Sequence, residues 1–127
     1  MREDTGRWVS FADKDLRLAE LALENGIYVY AAYHAQQAVE KYLKAYLIEH
    51  DRPYPRTHDI KILIKECAKI DKELEELLEI GADRLTIYAI EARYPEATEE
   101  TTKEEAEEAI KVAKKVRETI LNKLTQK

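Results

Sequence analysis

The chain has 127 residues, 45% of them hydrophobic and 37% charged, with a net charge of −5. This length buries one core without disulfide or metal staples, and three glycines with three prolines are too few for the turns of a sandwich or barrel. The opening MREDTGRWVS has no apolar run suited to a signal peptide, no stretch nears the roughly 20 apolar residues of a membrane span, and a lone cysteine leaves no internal disulfide.

A single all-α domain over residues 1–127 is therefore expected, in the cytoplasm and away from membranes. Abundant charge beside one Cys and one Met also matches the composition of proteins from hot environments.

The first helix is predicted from Thr5 or Ser10 to Asn25. Trp8, Ala12, Leu16, Ala19 and Leu23 recur on one face, and Gly26 supplies the stop. A second helix, Ile27 to about Asp51, follows so closely that the two must be antiparallel neighbours. The prolines of RPYPR then exclude helix. Thr57 is the expected N-cap of a third helix, with His58 as its first residue and Asp59 in its first turn. Ile60, Leu63, Ile64 and Cys67 share one face there, which makes the thiol a core group.

Asp71 is placed to cap a short acidic helix bearing Leu74, Leu77 and Leu78. Gly81 separates it from a further helix with Leu85, Tyr88, Ala89 and Ala92 inward, ending at ARYPEA because Pro95 pushes Tyr94 out of the α region. Thr102 with Glu105 fits a capping box for the last helix, whose buried stripe is Ala106, Ala109, Ile110, Ala113, Val116, Ile120 and Leu124. The predicted architecture is an antiparallel up-and-down bundle of four long helices plus one short helix.

Charge is unevenly spread. Lys41–Lys65 holds six Lys/Arg against three Asp/Glu, whereas Asp71–Ala109 holds four against fourteen. Such a chain is a poor general nucleic-acid binder but can hold a few phosphates or an oppositely charged partner. Lys41, Lys44, Arg52 and Arg56 are the basic candidates, close to the free N–H groups expected behind a Thr57 cap. Asp59 opposes an anion there.

Within YHAQQAVEKYLKAYL, Ala31, Ala35, Ala38, Tyr42 and Tyr46 centre the core face. Gln37, Lys41 and Lys44 fall opposite, with Glu40 beside them, as exposed positions. Gln36 lies on the flank of the apolar face, where an unpartnered amide costs about 1–3 kcal/mol. Two readings stay open: a bond to a neighbouring helix or backbone, or a flank that faces a second subunit or a ligand.

AAYHAQQAVEKYLKAYLI, then P.THDI..L, then ARYPEA, in that order and spacing, resembles the prokaryotic HEPN domain. The resemblance runs from about Trp8 to Leu124. It implies a small helical bundle, a homodimer, a minimal nucleotidyltransferase as partner in a toxin–antitoxin-type pair, and binding of a nucleotide or RNA.

Catalytic members of that family cleave RNA with an Arg-x(4–6)-His motif just before the last helix. Arg93 matches its arginine, but Thr98, Glu99 and Glu100 stand where histidine would fall. An Arg-x5-His from Arg52 to His58 lies away from the family's position. The expectation is therefore a non-catalytic module, with an RNase of atypical site or a purely structural dimerisation module as the alternatives. No metal-ligand spacing and no cofactor motif is present. The candidate binding residues are Gln36, Lys41, Lys44, Arg52, Arg56, Thr57, His58, Arg93 and Tyr94.

Overall fold

The computed structural model describes residues 1–96 and 100–126, and in them every regular element is helical. Helix α1 spans Glu3–Glu24, α2 Tyr28–Glu49, α3 Ile60–Ala68, α4 Glu76–Glu79, α5 Thr86–Glu91 and α6 Lys103–Leu124. Short 3₁₀ turns, Lys72–Glu75 and Ala82–Leu85, lead into α4 and α5. The all-α bundle is as expected, with a finer division of its helices. Three helices are long, at 22 residues each, α3 has nine, and the expected fourth long helix is the turn Ala82–Leu85 running into α5.

Helix α2 is the central element and packs against α1, α3, α5 and α6. Its alanines Ala31, Ala35 and Ala38, with Ala12 and Ala19 of α1, are fully buried, and such small residues let the two backbones approach closely. Tyr42, Leu43 and Leu47 fill the centre together with Ile60, Leu63 and Ile64 of α3 and Val116 and Ile120 of α6. Cys67 is a core group, as its spacing predicts. Its Sγ lies 3.5 Å from the Leu43 carbonyl, and burial pushes the thiol up to about 12.

Both long hairpin helices end in a Schellman motif. Gly26, at φ 73°, closes α1, with Ile27 N–H donating to Ala22 O at 2.8 Å. Asp51 plays the same part for α2 at φ 54°, and Arg52 N–H donates to Leu47 O at 2.9 Å. Aspartate tolerates this left-handed conformation better than most residues, so α2 stops at Glu49 and not at Asp51 as the sequence suggests. Arg2 Nη1 donates to the Ile48 carbonyl at 2.9 Å and helps to cap this end.

The start of α3 also differs from expectation. Asp59, not Thr57, is the N-cap, accepting from Lys61 N–H at 3.0 Å, and His58 precedes the helix. Thr57 Oγ1 instead accepts from Asp59 N–H at 3.0 Å, a turn that fixes the cap's approach. The capping box of α6 forms as predicted, with Thr102 Oγ1 accepting from Glu105 N–H and Glu105 Oε1 from Thr102 N–H.

Candidate functional site

Residues one turn apart on α2 share a face, so Glu40 has Gln36 and Gln37 beneath it and Lys44 above. The sequence expectation puts Glu40 and Gln37 on an exposed face. The structure buries Glu40 to 2% exposure and leaves Gln37 partly covered, because α3 and the loop before it close over this side.

A buried carboxylate is costly unless donors surround it. Gln36 Nε2 donates to Glu40 Oε2, and Gln37 Nε2 donates to the same oxygen at 3.1 Å. Lys44 Nζ stands 3.6 Å from Oε1. His58 Nδ1 reaches Oε1 at 3.1 Å and Oε2 at 3.2 Å. Gln36 completes its own bonding by accepting from Gln37 Nε2 at 2.8 Å. The amide in the apolar flank is thus bonded within its own helix. It is fully buried in the single chain, so no second subunit is needed to cover it.

His58 comes from the loop between α2 and α3, and the turn through Thr57 and Asp59 aims it back at α2. Ile60 N–H donates to Thr86 Oγ1 at 3.1 Å, which ties the start of α3 to the start of α5. Helix α5 then carries Arg93, just past its end, to the same spot. Arg93 Nη2 lies 3.2 Å from His58 Nε2.

This contact favours one tautomer of the histidine. A guanidinium only donates, so Nε2 accepts, the ring proton sits on Nδ1, and Nδ1–H donates to Glu40. The result is a continuous chain from a buried carboxylate, through an oriented imidazole, to an exposed guanidinium.

The chain opens on a cavity of about 270 Å³ whose lining includes Thr57, His58, Thr86, Arg93 and Tyr94, and also Asp59, a carboxylate that opposes an anion on its side. Arg93 offers a planar cation suited to phosphate, and His58 Nε2 offers a site where a proton can be taken up.

Of the predicted candidates, Gln36, Lys44, Thr57, His58, Arg93 and Tyr94 gather here. Lys41 does not, since its ammonium pairs with Asp15 on α1. Lys44 is occupied as well, by Glu40 and by the Tyr54 ring, whose centroid is 5.5 Å away. Arg52 and Arg56 stand exposed on the loop. The first N–H groups of α3 are taken up by Thr86 and Asp59, which weakens the case for an anion at that end. Thr98 and Glu99, two of the positions compared with the family's histidine, lie outside the described residues.

Glu40 is the residue that sequence reasoning missed. Its signal was available: polar donors one turn away on both sides, at Gln36 and Lys44, of a position next to the core face.

The sequence matches the HEPN domain family over residues 5–124. It is 34% identical to the Methanocaldococcus jannaschii protein named "Putative toxin MJ1304" over 94% of this chain and 88% of that protein. The fold is similar to the crystal structure of TT1696 from Thermus thermophilus, with a TM-score of 0.82, 30% identity, and coverage of 96% of this chain and 99% of that one. It is also similar to ST0689, described as an archaeal HEPN homologue, with a TM-score of 0.77, 24% identity, and coverage of 98% and 100%. Among the described residues no helix is long and apolar enough to cross a membrane, and no group of three or more His, Cys, Asp and Glu side chains is placed to hold a metal ion.

Proposed function

The chain belongs to the HEPN domain family, and from that premise we propose that it binds a phosphate-bearing ligand, a nucleotide or RNA, at the Arg93–His58 mouth. In this reading it is the toxin-like member of a pair with a nucleotidyltransferase, and it acts as a homodimer. The likeness to a protein named as a toxin supports the role.

One observation carries the choice of site: Arg93 is held against His58 at 3.2 Å, beside an open cavity, by a network anchored on buried Glu40. The net charge of −5 favours a few localised phosphate contacts over broad electrostatic binding.

The test is the affinity of a short oligoribonucleotide for the native chain, Arg93→Ala and Arg56→Ala at two salt concentrations. Arg93→Ala should weaken binding about tenfold or more and flatten the salt slope by roughly 0.7, the value for one single-strand phosphate contact. Arg56→Ala should bind like the native chain. The reverse pattern moves the site to the loop after α2.

A second reading, RNA cleavage, is favoured by the orientation of His58. A carboxylate on Nδ1 leaves Nε2 as the basic nitrogen. Once Arg93 turns from Nε2 to the phosphate, Nε2 can take the 2′-hydroxyl proton. The 2′-oxygen attacks phosphorus, the bond to the 5′-oxygen breaks, and that oxygen takes a proton from water, giving a 2′,3′-cyclic phosphate and a 5′-hydroxyl. His58→Ala should then abolish cleavage while binding changes only a few-fold. An absence of cleaved product from the native chain removes this reading.

A further inference from the structure

A second cavity, of about 360 Å³, opens beside the first and shares Tyr94 with it. Tyr28 and Tyr30, from the first turn of α2, also line it, together with Glu91 and Thr101. Tyr30 is 49% exposed and Tyr94 52%, so two aromatic rings stand half in solvent around one hollow. Aromatic faces in that setting are platforms on which nucleobases stack.

Two carboxylates, Glu91 and Glu100, lie in the lining of the hollow. Glu91 Oε2 accepts from buried Thr101 Oγ1 at 2.9 Å, and among the described residues no donor meets Oε1. An acceptor-only group repels phosphate but suits a base edge made of donors. Guanine presents N1–H and the N2 amino group side by side, a pair that a carboxylate can accept together. Adenine, cytosine and uracil each offer a single donor group on that edge, next to acceptors that would face the negative charge.

We propose that this cavity takes the nucleobase of the nucleotide whose phosphate lies against Arg93, with guanine preferred through Glu91. The inference rests on the proposed phosphate site. Tyr94 directly follows Arg93 in sequence and borders both hollows, so one nucleotide can place its phosphate in the first and its base in the second.

The experiment is calorimetric titration of GMP, AMP, CMP, UMP and ribose 5-phosphate into the native chain, Tyr94→Ala, Glu91→Gln and Arg93→Ala, with circular dichroism of each variant to confirm folding. GMP should bind about fivefold or more tightly than the other three nucleotides, and Glu91→Gln should bring the GMP to AMP ratio to about one. Tyr94→Ala should weaken every nucleotide about fivefold or more, in line with the loss of one stacked base, and ribose 5-phosphate far less. Its exposed ring makes that substitution tolerable to the fold. If ribose 5-phosphate and the four nucleotides bind alike and all depend on Arg93, the base site is wrong and the phosphate site stands. If nucleotides bind but Arg93→Ala changes nothing, the phosphate site itself is wrong. No binding of any of them at millimolar ligand overturns both.

Discussion

Asp15 and Glu40 are both buried carboxylates, and each takes a histidine Nδ1 and a lysine ammonium. Around Asp15 the partners are His34, at 2.9 Å, and Lys41, both on α2, so the cluster staples α1 to its immediate neighbour. The His34 ring lies edge-on to Tyr33, with centroids 5.2 Å apart, and lines neither the Arg93 cavity nor the tyrosine hollow. Around Glu40 the histidine arrives from a loop, and its outer nitrogen meets an arginine from a third element beside an open cavity. The same three residue types therefore serve two ends. What differs between the two groups is the surroundings of the second ring nitrogen.

Removing each carboxylate gives the sharpest test of that contrast. Glu40→Ala strands two glutamine amides, a lysine and a histidine around an almost fully buried position, and should cost about 3 kcal/mol of unfolding free energy. Asp15→Ala should cost about 1–2 kcal/mol, because the His34 and Lys41 side chains are 27% and 26% exposed and can turn to water. Urea denaturation of both variants measures the difference, and equal losses would mean that burial does not separate the two centres.

The next comparison is functional. His58→Gln should lower oligoribonucleotide affinity several-fold by freeing Arg93 from its fixed position, while His34→Gln should leave it within about twofold. Similar losses from both variants would make the Glu40 cluster one more staple.

A third carboxylate extends the series. Asp13, half-buried, accepts from the Tyr42 hydroxyl at 2.5 Å and from Arg117 Nε at 2.9 Å, which links α1, α2 and α6. Burial, and then Asp13, holds the Tyr42 phenol far above its ordinary range, so it remains a donor across the accessible pH scale. Tyr42→Phe deletes that donor yet leaves Arg117 on Asp13, and should cost about 1 kcal/mol in the same denaturation experiment.

The smallest effect belongs to a single ion pair near the end of α6. Lys123 Nζ, 2.8 Å from Asp71, holds the Asp71 carboxyl below the usual carboxylate range. A depressed folded value means a contribution that is present above about pH 4 and fades as pH falls through the folded value. The stability difference between the native chain and Asp71→Asn should stay constant from neutral pH to about pH 5 and shrink in more acid solution. A difference that grows in acid would contradict the pairing.

Most of the bundle was legible because its signals are local. Helical spacing marked the stripe of α6, Thr102 and Glu105 announced their capping box, and Gly26 and Gly81 fell at left-handed turns. Misreadings arose where tertiary contact outweighs local preference. Thr57 looks like a cap until Asp59 is seen to hold the first turn, and Glu40 looks exposed until the loop before α3 covers it. The pairing of Arg93 with His58 spans 35 positions and depends on the Ile60–Thr86 tie, so no spacing rule could reveal it. The literal Arg-x5-His joins His58 to Arg52, whereas the arginine that meets the ring is Arg93.

The tie between Ile60 and Thr86 also bears on local opening and amide exchange. Glu40 sits on the helix that packs against four others, the kind of segment that opens only with the whole molecule. Arg93 hangs just beyond a six-residue helix, where local opening is far easier. The chain from Glu40 to Arg93 thus joins a segment expected to exchange slowly to one expected to exchange quickly, across a single imidazole. A ligand that engages Arg93 should slow amide exchange through Thr86–Glu91 much more than through the middle of α2, so occupancy of the mouth would be recorded in the residues that ordinarily open first.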